Sequence, residues 1–293
     1  MAIRLLRRGE VLSRDIGDYP DGIVVAVDKP YRWTSADVVR KIKWAAIKHF
    51  GKKNLKVGHA GTLDPLATGL LLVCIGPATR QAQTLQDHDK EYIAGVTFGA
   101  VTASYDLEKD IVPAGEGHCP LPDAIATVAK NMVGEQMQVA PLFSAKSVDG
   151  VRAYEMARKL YKAGEKVPDD GIIRASRIRI DKMELLSSGK LKDYIRPDMI
   201  SDDRIHVADL NGWEDLPAAE ILIGCSKGTY IRAIARDLGE ALETGAFLQS
   251  LRRTRIGEVG IDHALSLEEV LAAFGRPGSN DNPPAAKNTI DAK

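Results

Sequence analysis

Apolar positions along this chain fall into blocks whose spacing switches between continuous and helical. Residues 22–28, GIVVAVD, form a β-branched run closed by Lys29-Pro30, which predicts a buried strand leading into a turn. Thr34 or Ser35 can then cap a helix, because Val38, Val39, Ile42, Ala45 and Ala46 recur at helical spacing up to about Phe50. The basic residues of that segment fall on the helix's other face. A glycine-punctuated loop follows over 58–69, and the unbroken LLLVCIG of 70–76 predicts a second buried strand. Residues 90–99 alternate as a strand does, 121–132 carry an amphipathic helical pattern before the turn at Val133-Gly134, and 151–163 predict another helix. Strand-like runs at 173–186 and 219–225, then a helix over about 229–243 ending near Gly245, complete the periodic segments.

These strands and helices alternate irregularly, without a repeated βαβ unit or an internal repeat, so the pattern predicts a mixed α+β sheet rather than a doubly wound one. Two intervals lack periodicity. The polar stretch 187–218 is either a long surface insertion or a short hairpin excursion. Beyond about residue 274 the chain is rich in Pro, Gly, Asn and Asp with too few large apolar residues to pack, which predicts a disordered tail over 274–293.

Composition narrows the class. At 293 residues and 44% hydrophobic the chain can bury a substantial core. No apolar run approaches the roughly 18 residues of a membrane span, and the opening MAIRLLRRGEVLSRD has no signal-peptide core, so a soluble, unexported protein is expected. Cys74, Cys119 and Cys225 are far apart and lack CxxC or CxxH spacing, which suggests neither a disulfide framework nor zinc and fits a reducing cytoplasm. His59, His88 and His118 likewise lack ligand spacing, so no metal is expected. Lys plus Arg equals Asp plus Glu at 40 each. Net charge therefore gives no reason to expect a nucleic-acid partner, but its distribution does. Arg40, Lys41, Lys43, Lys48, Lys52, Lys53 and Lys56 run through 40–56 without one acid, while acids concentrate in 104–124 and 201–220. A neutral chain can still present a basic face.

The candidate chemistry lies in 57–80, where Asp64 sits in a glycine-framed loop directly before the 70–76 strand. Gly58, Gly61 and Gly69 permit tight turns and close approach, and Pro65 stiffens the residue after the acid. Read locally, such a loop is either a structural Asp-Pro turn or a mount for one carboxylate.

The whole string GHAGTLDPLATGLLLVCIG resembles the active-site motif of the TruB family of tRNA pseudouridine synthases. Further family-like segments follow in order: Asp28-Lys29-Pro30, Lys90-Glu91-Tyr92, Met137-Gln138, Pro141, Ser144-Ala145-Lys146, Arg152-Ala153-Tyr154-Glu155, the run CSKGTYIR at 225–232, Asp237-Leu238-Gly239 and Leu251-Arg252-Arg253-Thr254. The resemblance spans about 22–265. It implies the pseudouridine synthase α+β fold, a central mixed and mostly antiparallel sheet with peripheral helices and an active-site cleft. It also implies isomerisation of uridine to pseudouridine at position 55 in the T loop of tRNA, without cofactor, metal or nucleotide.

By that resemblance Asp64 is the catalytic acid, whether it adds to base or sugar or removes the C2′ proton, and Arg232 is the guanidinium that pairs with it and aims it. Tyr92 matches the aromatic that packs on the target base near C5. His59, Tyr230 and Leu251 match positions lining the flipped nucleotide's pocket, and Lys29 joins the binding set as a support of the catalytic loop's backbone. RNA phosphates are expected on Arg40, Lys43, Lys52 and Lys53, on Arg252, Arg253 and Arg255, and on Arg174, Arg177, Arg179 and Lys182. The implied organisation is a catalytic domain over 1–270, with a thumb-like RNA-binding segment at 141–170 that orders on RNA. Many bacterial family members continue into a C-terminal PUA domain; none is expected here, which points to more T-loop-centred binding. The tRNA T stem-loop is the expected partner of a monomer. Two rivals are an RNA-folding chaperone with little or no catalysis and a glycosylase that releases uracil.

Overall fold

A computed structural model describes residues 4–114, 119–144, 146–148, 150–165 and 172–275. In chain order its elements are β1 (Ile23–Lys29), α1 (Ser35–Phe50), β2 (Val57–His59), β3 (Ala67–Ile75), α2 (Ala82–Asp87), β4 (Lys90–Phe98), β5 (Ala100–Thr102), β6 (Ile111–Pro113), α3 (Pro122–Asn131), β7 (Gly134–Gln138), β8 (Ser147–Val148), β9 (Val151–Arg152), α4 (Ala153–Lys162), β10 (Ser176–Lys190), β11 (Pro217–Cys225), α5 (Ile231–Ala241), β12 (Ala246–Ile256), β13 (Val259–Gly260) and α6 (Leu267–Ala273). The fold is the expected α+β architecture. One large sheet runs β1-β3-β12-β4-β11-β10-β7, with β2 added on β3 and β13 on β12.

The continuous apolar runs of β1 and β3 reflect burial on both faces. Ile23, Val25 and Val27 of β1 join Leu71, Val73 and Ile75 of β3 in the main core, while Val24 and Ala26 join Leu70, Leu72 and Cys74 in a second core behind it. Against the main core pack α1 through Val38, Ile42, Ala45 and Ala46, α3 through Ile125 and Ala129, and α5 through Ile231, Ile234, Ala235 and Leu238. Thr34 caps α1 as expected, in a reciprocal box with Asp37. Among the described residues no helix is long and apolar enough to cross a membrane.

Strand pairing positions the functional loop. Neighbours along the sheet are antiparallel except β3 and β12, which run parallel through Leu251↔Ala67, Arg252↔Thr68 and Arg253↔Gly69. The loop carrying Asp64 feeds β3 at this junction, so β12 forms its floor. β12 itself, Ala246–Ile256, escapes the periodicity reading because Gln249, Arg252, Arg253 and Arg255 interrupt its apolar residues.

The strand expected at 173–186 continues to Lys190, and β11 starts at its register partner Pro217. The polar interval is therefore a hairpin extension that carries an excursion over 191–216. Met199, Val207 and Ala208 of this excursion are buried against Leu66, Leu107 and Phe247. In the thumb-like segment β8, β9 and α4 are described, while residues 145, 149 and 166–170 lie outside the described set, as does 276–293 of the expected tail.

The β3/β12 junction makes a direct demand on Gly69. Its φ is +96°, and a Cβ there would lie 2.3 Å from the Arg253 carbonyl oxygen. Gly69→Ala is expected to destabilise the fold by at least ~3 kcal/mol, read as a lower urea midpoint; an unchanged midpoint would show that β3 and β12 can separate at this point.

Candidate active site

Asp64 opens a turn in which the Ala67 N–H donates to its carbonyl at 3.1 Å, with Pro65 at the second position. The structural turn and the mount for a carboxylate are thus the same object. Three side chains from elsewhere hold this loop by its backbone. Ser35 Oγ, at the first residue of α1, accepts from the Leu63 N–H at 2.9 Å and donates to the Leu63 carbonyl at 3.1 Å. Arg253 donates to the carbonyls of Leu70 at 2.7 Å, Gly61 at 3.1 Å and Thr62 at 3.5 Å. Lys29 Nζ donates to those of Trp33 at 2.5 Å, Pro30 at 3.0 Å and Pro65 at 3.1 Å.

Both side chains are buried, and for Arg253 this corrects the expected phosphate contact. Arg253 is 1% exposed and spends its guanidinium on loop carbonyls, so it cannot meet a phosphate. Lys29 is fully buried with its amine engaged on three carbonyls, Pro65 of the loop among them, in keeping with the expected support of the loop's backbone. Burial pushes the Lys29 amine down to about 7, with Asp64 opposing.

Arg232 lies in the first turn of α5, where Gln138 fixes the helix start. The Gln138 side chain accepts from the Tyr230 N–H at 2.8 Å and donates to the Tyr230 carbonyl at 3.2 Å. From that position Arg232 forks onto Asp64, Nε to Oδ2 at 2.9 Å and Nη2 to Oδ1 at 3.1 Å, and donates from Nη1 to the Ser104 carbonyl at 3.1 Å. The Arg232 side chain is 7% exposed and that of Asp64 36%, so the guanidinium is protein-facing while the carboxylate faces solvent.

A second acid shares the same cation. Asp106, buried on the connection between β5 and β6, lies 3.6 Å from Arg232 Nε and accepts from Ser104 Oγ at 2.6 Å and from the Glu108 N–H at 2.9 Å. Burial raises the Asp106 carboxyl, against the pull of Arg232. Glu108 is raised to about 7 by burial first, then by Asp106 and Asp64. Burial opposes the charge of Arg232, but Asp64, Asp106 and Glu108 together outweigh it and raise its pKa. One guanidinium thus faces more carboxyl groups than it can neutralise. Neither Asp106 nor Glu108 was expected at the site, because an acid-rich run such as 104–124 reads as a solvated face.

Asp64, Asp106 and Arg232 line one open cleft with Leu66, Leu248 and Leu251. Of the expected pocket residues, Leu251 is in this wall. Tyr92 lies on β4 directly across from Arg253 in the strand register, nearly buried, and burial raises its hydroxyl. His59 ends β2, and its ring is held below the usual histidine range by burial and by Arg253. Tyr230 packs its ring among the thumb-side residues around Phe143 and Ala153. Among the described residues no group of His, Cys, Asp and Glu is arranged to hold a metal ion.

The expected phosphate contacts divide in two. Arg252 is forked onto Asp28, Arg40 is paired with Asp37, Arg177 with Glu135, Arg179 with Asp89 and Asp181, and Lys182 with Glu184. Lys43, Lys52 and Lys53 are exposed.

Residues 48–231 match the TruB family pseudouridylate synthase N-terminal domain, and 232–282 match the tRNA pseudouridylate synthase B C-terminal domain. Proteins named tRNA pseudouridine synthase B from Phocaeicola vulgatus and Parabacteroides distasonis are each 41% identical over 86% of this chain, and over 92% and 93% of their own lengths. Among solved structures, a Cbf5-Nop10-Gar1 complex aligns at 25% identity and TM-score 0.56 over 88% of this chain. An archaeal box H/ACA sRNP Nop10-Cbf5 complex aligns at 24% and 0.54 over 87%. This chain spans 56% and 54% of those longer chains, whose likeness is one of fold. With a family match over most of its length and relatives above 40% identity, the chain belongs to the TruB family of pseudouridylate synthases and isomerises uridine in tRNA.

Proposed function

We propose that the uridine isomerised is the one at position 55 of the tRNA T loop and that Asp64 is the catalytic carboxylate. The observation that carries this reading is the forked Arg232–Asp64 pair in the wall of the cleft, with the acid half-buried and the cation buried. The reaction breaks the N1–C1′ bond, turns the uracil, forms the C5–C1′ bond and releases the C5 proton, while N1 takes up one proton. Atoms balance without an oxidant or reductant. A carboxylate held by two charge-assisted hydrogen bonds has a fixed direction of attack, which is what such a reaction needs from its protein.

A base reaches Asp64 only when extruded from the RNA stack. Leu66, Leu248 and Leu251 supply an apolar wall for it, and Tyr92 is assigned to pack on it near C5. His59 and Tyr230 complete the nucleotide pocket, the exposed Lys43, Lys52 and Lys53 serve phosphates, and the thumb-like segment closes on the T stem-loop. The chain acts as a monomer in the cytoplasm. A module that merely opened the tRNA elbow would have no use for an aimed carboxylate.

Tritium release from tRNA carrying [5-³H]uridine tests the assignment. Asp64→Asn is expected to release none, and Arg232→Lys, which keeps the charge but loses the fork, to slow release by roughly 100-fold with little change in KM. A T-loop uridine-to-cytidine transcript should also yield no pseudouridine. Full activity of Asp64→Asn would remove Asp64 from the chemistry, and product at another position would move the target.

The same charge balance sets a pH dependence of stability. Because the Glu108 carboxyl is raised from 4.5 to about 7, the folded chain holds a proton there that the unfolded chain releases. Its contribution is favourable below about pH 4.5 and is lost as pH rises through 7. Glu108→Gln is therefore expected to gain about 3 kcal/mol relative to the parent between pH 4 and pH 8 in urea unfolding. A pH-independent difference between the two proteins would contradict this.

A further inference from the structure

The 191–216 excursion touches the backs of both acid-bearing loops. Met199, Val207 and Ala208 are each less than a tenth exposed and share one apolar cluster with Leu66 and Leu107. Leu66 follows Asp64 by two positions, and Leu107 follows Asp106 directly. The Ala208 N–H donates to the Leu107 carbonyl at 2.8 Å, and Arg32 Nη1 donates to the Ile200 carbonyl at 2.9 Å, tying the excursion to the segment between β1 and α1. At its far end His206 Nε2 lies 3.0 Å from Asp110 Oδ1, and the other oxygen of that carboxylate accepts from Tyr161 of α4 at 2.9 Å.

The 103–110 connection needs such support. Tyr105, just before Asp106, has φ +58°, a left-handed conformation that costs a tyrosine about 1–3 kcal/mol and persists only where its surroundings fix it. On the sheet side the Tyr105 carbonyl accepts from the Leu248 N–H at 3.0 Å. On the outer side the excursion closes over Leu107. We propose that 191–216 is a brace for the active site, with Met199 and Val207 as positioning residues that hold the loops of Asp64 and Asp106 in register with Arg232. The proposal rests on the reading of Asp64 and Arg232 as the reacting pair, but its mechanical part can be measured without activity.

The test compares Met199→Ala/Val207→Ala, Met199→Leu and a chain in which 191–216 is replaced by Asn-Gly. That dipeptide can close the hairpin because Lys190 and Pro217 are register partners. For each, three quantities are measured: amide hydrogen exchange over 62–67 and 104–110, the Kd for tRNA, and the single-turnover rate of tritium release. The double alanine variant is expected to exchange at least tenfold faster in both loops with β4 and β11 unchanged, to bind tRNA within twofold of the parent, and to react about 10–100-fold more slowly. Met199→Leu, which keeps the volume, should keep the parent's rate and exchange. The excised chain should match or exceed the double variant's defect; if it does not fold, the double variant decides. Unchanged exchange in both loops overturns the brace, and faster exchange with an unchanged rate overturns the positioning role. Parallel assay of Asp64→Asn separates these outcomes from an error in the site itself, since activity in that variant would leave the exchange result standing.

Discussion

The buried guanidinium of Arg232 is the constraint around which the active-site side of the fold is arranged. A charge taken out of water is tolerable only with partners in good geometry, and Arg232 finds them in Asp64, Asp106 and the Ser104 carbonyl. These partners sit on two loops, Asp64 before β3 and Ser104 with Asp106 between β5 and β6, so holding the cation means holding both loops. Gln138 fixes the start of the helix that carries Arg232, and Ser35, Lys29 and Arg253 fix the loop that carries Asp64. The apolar core supplies the energy of folding, while this polar scaffold specifies which loop conformation results.

Lys29 and Arg253 solve a particular problem. A glycine-rich loop that approaches β12 closely has carbonyls that would otherwise be shielded from water without donors. Arg253, reaching in from β12, brings donors to the carbonyls of Gly61, Thr62 and Leu70, while Lys29 at the end of β1 ties Pro65 of the loop to Pro30 and Trp33. They also leave positive charge beneath the carboxylate of Asp64. The amine of Lys29 and the ring of His59 are both lowered chiefly by burial, and Arg253 lowers each further.

Much of the frame was legible in the sequence wherever periodicity and burial agree. β1, α1, β3, α3 and α5 are apolar by pattern and buried in fact. β12 was not legible, because its buried Gln249 and Arg253 look polar in sequence and find their partners far along the chain, Thr97 for the Gln249 carbonyl oxygen and the 61–70 carbonyls for Arg253. The same blindness placed Arg253 on the RNA surface, since an arginine run has no local mark that separates a scaffold from a footprint. Asp106 and Glu108 were hidden in the opposite way: an acid-rich run suggested solvent, and only the fold closes 191–216 over Leu107. Asp64, Tyr92 and Arg232 stood out through resemblance rather than local physics, and the geometry then brought Asp64 and Arg232 together across 168 residues of chain.

The pairing of surface charge bears on how a neutral chain holds a polyanion. Arg177, Arg179, Lys182 and Arg252 are already matched to carboxylates, and lending them to phosphates would mean breaking those pairs. Exposed pairs are weak, roughly 0–1 kcal/mol, so exchange is possible but yields less than a free cation would. Affinity in the proposed reading therefore has two sources: the exposed Lys43, Lys52 and Lys53, and a base inserted against Leu66, Leu248 and Leu251. The first is screened by salt and carries no sequence information. The second is largely salt-independent and forms only for a nucleotide that can leave its stack, so most of the selectivity of such an enzyme would reside in the cleft rather than in its surface charge.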